Sequence, residues 1–136
     1  MQRVTVTRRV HFNAAHRLHN PNWSPEENNR VFGACSNPHY HGHNYGLDVS
    51  VEGEIDPNTG YVADMRIVKQ IVEKLVVDYF DHKNLNVDIP EFKELNPTTE
   101  NLVLTIWERL RGHLPGRLSK LVLWETPRSS VEYTGE

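Results

Sequence analysis

An α+β domain, with an antiparallel sheet and both of its helices on one face, is the fold class this sequence predicts. Three observations predict it. Period-2 alternation of apolar and polar residues opens the chain over residues 3–12 and returns near its end, two stretches of helical spacing are grouped between them, and no repeat, low-complexity tract or long linker divides the 136 residues. A chain of this length can bury roughly two thirds of its unfolded surface, so one domain over residues 1–136 with one core is expected.

In order along the chain, Val4, Val6, Val10 and Phe12 alternate with Thr5, Thr7, Arg9 and His11, the pattern of a strand with one buried face, and Ala14 and His16 extend that face. Residues 20–29 are rich in Pro, Asn and Ser and read as a loop, with room for a short helix after Ser24. A second strand is expected over residues 41–53. The turn signal Asp56-Pro57-Asn58-Thr59-Gly60 then predicts a hairpin into a short third strand at Tyr61 and Val62. Asp64 can cap a helix whose apolar stripe is Val68, Ile71, Val72, Leu75, Val76 and Tyr79, ending near Phe80. Residues 81–90 read as a loop. A second helix starts at Thr98 or Thr99 and carries Leu102, Val103, Ile106, Trp107 and Leu110 up to Gly112. In the strand that follows, Leu121 and Leu123 share a face with Glu125. Val131 and Tyr133 suggest a final strand.

A net charge of -3 and a pI near 6.2 argue against a nucleic-acid or anionic-membrane surface. No apolar run approaches the ~20 residues of a spanning helix, and the first residues lack the apolar block of a secretory signal. A single cysteine excludes an internal disulfide and fits a reducing compartment. The expectation is a cytoplasmic protein.

Residues 35–45 pack one thiol and three imidazoles into eleven positions. In an extended chain His41 and His43 point to the same side, which is metal-ligand geometry, and His16 can join them as a third imidazole. Three histidines with an open fourth position suit a catalytic Zn2+. Cys35 can be a fourth ligand, a catalytic thiolate or a small buried hydrophobe, and the pattern leaves all three open. Asp81 and His82 can form a relay to a thiol or a surface pair. Glu125, on an inward strand face, is either bonded to backbone donors or awaits a ligand's N–H groups.

These residues carry a family likeness. Phe12-Asn13-Ala14-Ala15-His16-Arg17-Leu18, Phe32-Gly33-Ala34-Cys35-Ser36-Asn37-Pro38, His41-Gly42-His43-Asn44-Tyr45, Asp81-His82-Lys83-Asn84-Leu85-Asn86, Pro97-Thr98-Thr99-Glu100-Asn101 and Trp124-Glu125-Thr126 together resemble the 6-pyruvoyl-tetrahydropterin synthases, over nearly the whole chain and in the same order. The resemblance implies a tunnelling fold. Four-stranded antiparallel sheets, each with two helices on one face, would pool into a trimeric barrel, and two trimers would stack as a homohexamer. It further implies conversion of 7,8-dihydroneopterin triphosphate with elimination of triphosphate, the work of a phosphorus-oxygen lyase. Residue by residue, it makes His16, His41 and His43 the zinc ligands and Cys35 the proton-shuttling base. Asp81 and His82 become relay partners from an adjacent subunit, Glu125 the pterin anchor, and Thr98, Thr99 and Glu100 the segment that helps hold the pterin.

Within that family the six-residue interval from Cys35 to His41 resembles the pyruvoyl branch of tetrahydrobiopterin biosynthesis. Asp64 leans towards the alternative, a 6-carboxy-tetrahydropterin synthase that makes a queuosine precursor and releases acetaldehyde. A non-catalytic, zinc-stapled pterin-binding module would lack one of Cys35, Asp81, His82 or Glu125, and all four are present. The basic groups that would hold a triphosphate are not legible from pattern; Arg17, Lys83 and Arg66 are candidates by proximity to the motifs.

Overall fold

The computed structural model describes residues 2–136. Two 14-residue strands, β1 (Arg3–His16) and β2 (His41–Glu54), pair antiparallel along their whole length, from Arg3 opposite Glu54 to His16 opposite His41. β4 (Arg117–Thr126) lies antiparallel on the other side of β2, and β5 (Ser129–Tyr133) antiparallel beyond it. β3, only Lys83–Asn84, adds a parallel edge beside Ala14 and Ala15, giving the order β3-β1-β2-β4-β5. The sheet is therefore five-stranded and mixed, where the family resemblance implies four antiparallel strands. The fifth strand comes from within the segment read as a loop.

The expected strand at Tyr61 and Val62 does not form. Both edges of β2 are already occupied by β1 and β4, so a hairpin partner has no ladder to join. Instead the turn closes on itself, Gly60 N–H donating to Asp56 O at 2.7 Å and Asp56 N–H to Tyr61 O at 2.9 Å. Val62 then folds over the sheet, close enough to Gly53 that a Cβ there would stand 3.2 Å from its Cγ1.

One sheet face carries Val10, Phe12 and Ala14 from β1, Tyr45, Leu47, Val49 and Val51 from β2, and Leu118, Leu121 and Leu123 from β4, all buried. Each fully buried Leu or Val there contributes roughly 1.5–3 kcal/mol over its exposed state. Helices from residues 65–110 cover this face. α1 (Pro25–Phe32), capped by the Ser24 hydroxyl, fills the space allowed for a short helix after Ser24. α2 (Met65–Val72) is capped by Asp64, whose carboxylate accepts from Arg66 N–H at 2.9 Å. It continues through a π-helical turn at Glu73–Val77 into α3 (Asp78–Phe80). The buried residues Val68, Val72, Val76 and Phe80 recur every fourth position, a spacing that drifts around a 3.6-residue helix by about 40° per step. The wider π turn takes up that drift and keeps Phe80 under the sheet, where it meets the Phe12 ring at 5.7 Å.

α4 (Leu85–Asp88) is a single turn capped by Asn84. α5 (Thr99–Leu110), capped by Thr98, buries Leu102, Val103, Ile106 and Leu110 against β4 and β5. Among the described residues no helix is long and apolar enough to cross a membrane.

The other sheet face is polar. Arg9 grips Asp48 through two nitrogens at 2.6 and 2.9 Å, Trp124 Nε1–H donates to the same carboxylate at 3.2 Å, and Arg117 bonds Glu52.

Candidate functional site

At the end of the buried face where β1 finishes and β2 begins, the apolar pattern gives way to imidazoles. His16 is opposite His41 in the ladder and Ala14 opposite His43, so the period-2 rule that places Phe12 and Tyr45 in the core puts all three rings on that face. One nitrogen from each of His16, His41 and His43 lies within 4.8 Å of the others. The sequence pattern thus brings together residues 25 and 27 positions apart, because the strands are antiparallel and in this register.

Burial holds His16 and His43 towards the neutral form, and His16 is also oriented. His16 is fully buried, and its Nδ1 lies 2.9 Å from the carbonyl oxygen of Pro97, which fixes the proton on that nitrogen. Its Nε2 is then a bare lone pair 3.1 Å from His41 Nε2. Burial lowers the pKa of His16, and the backbone bond to Pro97 only partly opposes it. Burial also lowers that of His43 and outweighs the nearby Glu125, whose Oε1 lies 3.7 Å from His43 Nε2. His43 Nε2 and His41 Nδ1 are buried without a hydrogen-bond partner. Three clustered imidazoles with unpartnered buried nitrogens, one ring locked by a carbonyl, are the donor set that a divalent cation such as Zn2+ takes, and these residues fit one.

Cys35 sits on a 3₁₀ turn (Gly33–Ser36) that is zipped to the end of β1: Leu18 N–H donates to Cys35 O at 2.7 Å and Arg17 Nε–H to Ser36 O at 2.9 Å. Gly33 makes this possible by ending α1 at φ 56°. The thiol is half-buried. Burial raises its pKa, and the negative charge of Glu125 raises it further. Within one chain it is therefore protonated at neutral pH.

Glu125 occupies the inward position of β4 beside His43 and accepts from the Thr99 hydroxyl. Thr99 is buried, whereas Thr98 spends its hydroxyl on Asn101 N–H at 3.1 Å as the cap of α5, and Glu100 is exposed. Asp81 and His82 are not brought to the thiol within this chain. Asp81 accepts from Asn13 N–H at 2.8 Å, and His82 N–H donates to Asn13 O at 2.6 Å, which clamps both residues to the outer edge of β1. His82 adopts a left-handed φ of 59°, and its ring, 3.5 Å from Asp81, points to solvent.

Sequence reasoning missed the parts played by four residues. The Pro97 carbonyl is a backbone group without a side-chain signature. Asn86 and Asn96 hold the residue 17–19 segment, Asn86 bonding both N–H and C=O of Arg17 and Asn96 accepting from His19 N–H. Tyr45, fully buried and stacked on Phe12 at 5.0 Å, floors the cluster with its hydroxyl 3.4 Å from His16 Nδ1; only its strand face was legible. His39 is exposed and lies outside the cluster.

Comparison with known proteins matches residues 5–136 to the family model described as 6-pyruvoyl tetrahydropterin synthase. The 6-pyruvoyl tetrahydrobiopterin synthase of Homo sapiens is 46% identical over 132 residues, 96% of this chain and 91% of that one. A dihydroneopterin monophosphate aldolase of Pyrococcus furiosus is 39% identical over 132 residues, 96% of each chain. The structure of Caenorhabditis elegans 6-pyruvoyl tetrahydropterin synthase superposes with a TM-score of 0.93 at 40% identity, covering 100% of this chain and 98% of that one.

Proposed function

The chain belongs to the 6-pyruvoyl tetrahydropterin synthase family, and from that premise we propose that it converts 7,8-dihydroneopterin triphosphate to 6-pyruvoyl-tetrahydropterin, eliminating triphosphate as a lyase. The observation that carries this reading is the convergence of three imidazoles beside Glu125 and Cys35 at one end of the core face. His16, His41 and His43 would hold Zn2+. Bound there, the cation supplies Lewis acidity that weakens the C–H and O–H bonds of the substrate side chain.

The chain's own residues supply the rest. Glu125, kept in place by the Thr99 hydroxyl, accepts from the pterin's ring N–H and amino group, a paired recognition of the pyrimidine edge. Thr98 and Glu100 belong to the same helix start and shape the entrance. Cys35 takes and returns protons on the side chain. To act as a base at neutral pH it needs a partner that offsets burial and the Glu125 charge, and Asp81 with His82 of an adjacent subunit fill that role. Their place at the β1 edge, with His82 turned to solvent, supports a contribution across a subunit boundary. The outer side of β1 before Ala14 and the free side of β5 are unpaired among the described residues, which suits closure of sheets into a trimeric barrel and a hexamer of two such rings. A cytoplasmic setting fits the free thiol.

The experiment is to supply zinc and dihydroneopterin triphosphate and identify the product by mass. A pyruvoyl pterin with released triphosphate supports the proposal. A carboxylated pterin with acetaldehyde would instead place the chain in the queuosine branch, which the relatives named above do not favour. An aldolase reading has one specific support, the 39% identity to the archaeal enzyme, and predicts carbon-carbon cleavage with phosphate retained on the leaving fragment.

A further inference from the structure

We propose that a cavity of about 630 Å3, bordered by Leu75, Glu91, Leu95, Leu104 and Arg109, is a binding site for a small zwitterion, an α-amino acid with an aliphatic side chain. It shares no lining residue with the imidazole cluster, and no step proposed above uses it. Its volume is of the size that small ligands occupy.

Two opposite charges are held apart on its wall. Arg109, on α5, donates from Nε to Leu75 O at 2.7 Å in the π-helical turn, and its guanidinium lies 3.5 Å over the Tyr79 ring. The Tyr79 hydroxyl, at the far end of that ring, donates to Glu91 Oε1 at 2.7 Å. Tyr79 thus fixes cation and carboxylate about one ring-length apart, and neither forms an ion pair among the described residues. Arg109 is half-buried, with one nitrogen and one face committed, and keeps its two outer nitrogens, a fork that matches a carboxylate. Glu91 keeps its second oxygen for an N–H donor.

A ligand of either single sign would meet repulsion from one member of this pair. A molecule that carries an ammonium and a carboxylate on one carbon satisfies both. Leu75, Leu95 and Leu104 supply apolar surface beside the charges, and Leu95 and Leu104, 42% and 43% exposed, gain by burial under an aliphatic side chain. The remaining titratable groups of the lining, Glu108 and His113, are exposed, and Glu108 lies 3.5 Å from Arg111. The π turn supplies the carbonyl that holds the guanidinium, in keeping with the frequent place of such turns at functional sites.

The test is equilibrium dialysis of the full chain, zinc-loaded, against radiolabelled L-leucine. One saturable site per chain is expected, with a Kd of about 1 mM or below. Leucinamide lacks the carboxylate and N-acetyl-leucine the ammonium, and each should compete at least about ten-fold more weakly than L-leucine. Arg109→Gln should weaken binding by a similar factor. Because Arg109 also braces the π turn, Glu91→Gln decides the matter if that variant does not fold: it should weaken L-leucine and tighten N-acetyl-leucine, a gain that damage to folding does not produce. His43→Ala should bind L-leucine as the unsubstituted chain does. No saturable binding, equal competition by the three compounds, or a Glu91→Gln variant that shifts both ligands alike overturns the site. Loss of L-leucine in His43→Ala would place the amino acid on the metal and overturn it as well.

Discussion

His16 donates from Nδ1 to the carbonyl oxygen of Pro97 at 2.9 Å, joining residues 81 positions apart, and this bond decides which nitrogen of the ring is bare. A strand end and the segment leading into α5 are thereby made parts of one site. The lone pair on Nε2 faces His41 Nε2 at 3.1 Å, and one nitrogen from each of His16, His41 and His43 lies within 4.8 Å of the others.

Zinc content is the direct check on that arrangement. One Zn2+ per chain is expected by atomic emission after dialysis in zinc and then in buffer. His43→Ala, which removes a half-buried ring while leaving the core intact, should reduce zinc affinity by at least ten-fold with little change in melting temperature. Full zinc retention in both His43→Ala and His41→Ala would remove the triad from consideration.

The Cys35 thiol should be a poor nucleophile in the isolated chain. Burial and the Glu125 carboxylate both raise its pKa, so the alkylation rate with iodoacetamide should keep climbing above the pH at which an ordinary thiol levels off. Glu125→Gln removes one of the two causes, and its sign follows: the profile moves to lower pH. Cys35→Ala should abolish triphosphate release while leaving zinc content unchanged. Substantial release from that variant would take the cysteine out of the mechanism.

Much of this architecture is legible in the sequence because two periodicities carry it. The alternation at Val10, Phe12, Ala14 and His16, continued across the ladder by Tyr45, Leu47 and Val49, foretells which face each imidazole shares, and Asp64 and Thr98 announce their helices by capping. What escapes is set by partners distant in sequence. Nothing local says that β2 has no free edge for Tyr61 and Val62, since β4 arrives more than fifty residues later. Lys83 and Asn84 become a strand only because β1 offers them an edge. The Pro97 carbonyl is invisible to any side-chain pattern.

On the polar face, Asp48 joins Arg9 and Trp124, and the hydrogen bonds these donate to its carboxylate, with Arg9 the larger influence, hold its pKa below the usual range. A depressed carboxylate stabilises the fold above its unfolded value, near pH 4, and that stability is lost as pH falls through the folded value. Arg9 is half exposed and screened by solvent, so Asp48→Asn should lower stability by about 1 kcal/mol at pH 7. Urea unfolding at pH 7 and pH 3 checks it: the gap between the two proteins should narrow in acid. An unchanged gap would mean that packing of Trp124, and not the charge, is what the substitution disturbs.

The last prediction follows from the distance between function and place at Asp81 and His82. Both are tied to the backbone of Asn13, and the charged group acting on Cys35 within the chain is Glu125, so the relay proposed for the thiol is expected from another copy. Cys35→Ala and His82→Ala should each be inactive alone. If the two variants are unfolded together and refolded as a mixture, some sites will combine an intact thiol from one chain with an intact imidazole from its neighbour, and part of the activity should return. Refolding each variant separately and mixing afterwards should restore none, provided subunits do not exchange. A mixture as inactive as its components would place the relay within the chain, and His82 would then have to turn inward from its present exposed position, a rearrangement its left-handed backbone and the 2.6 Å bond to Asn13 oppose.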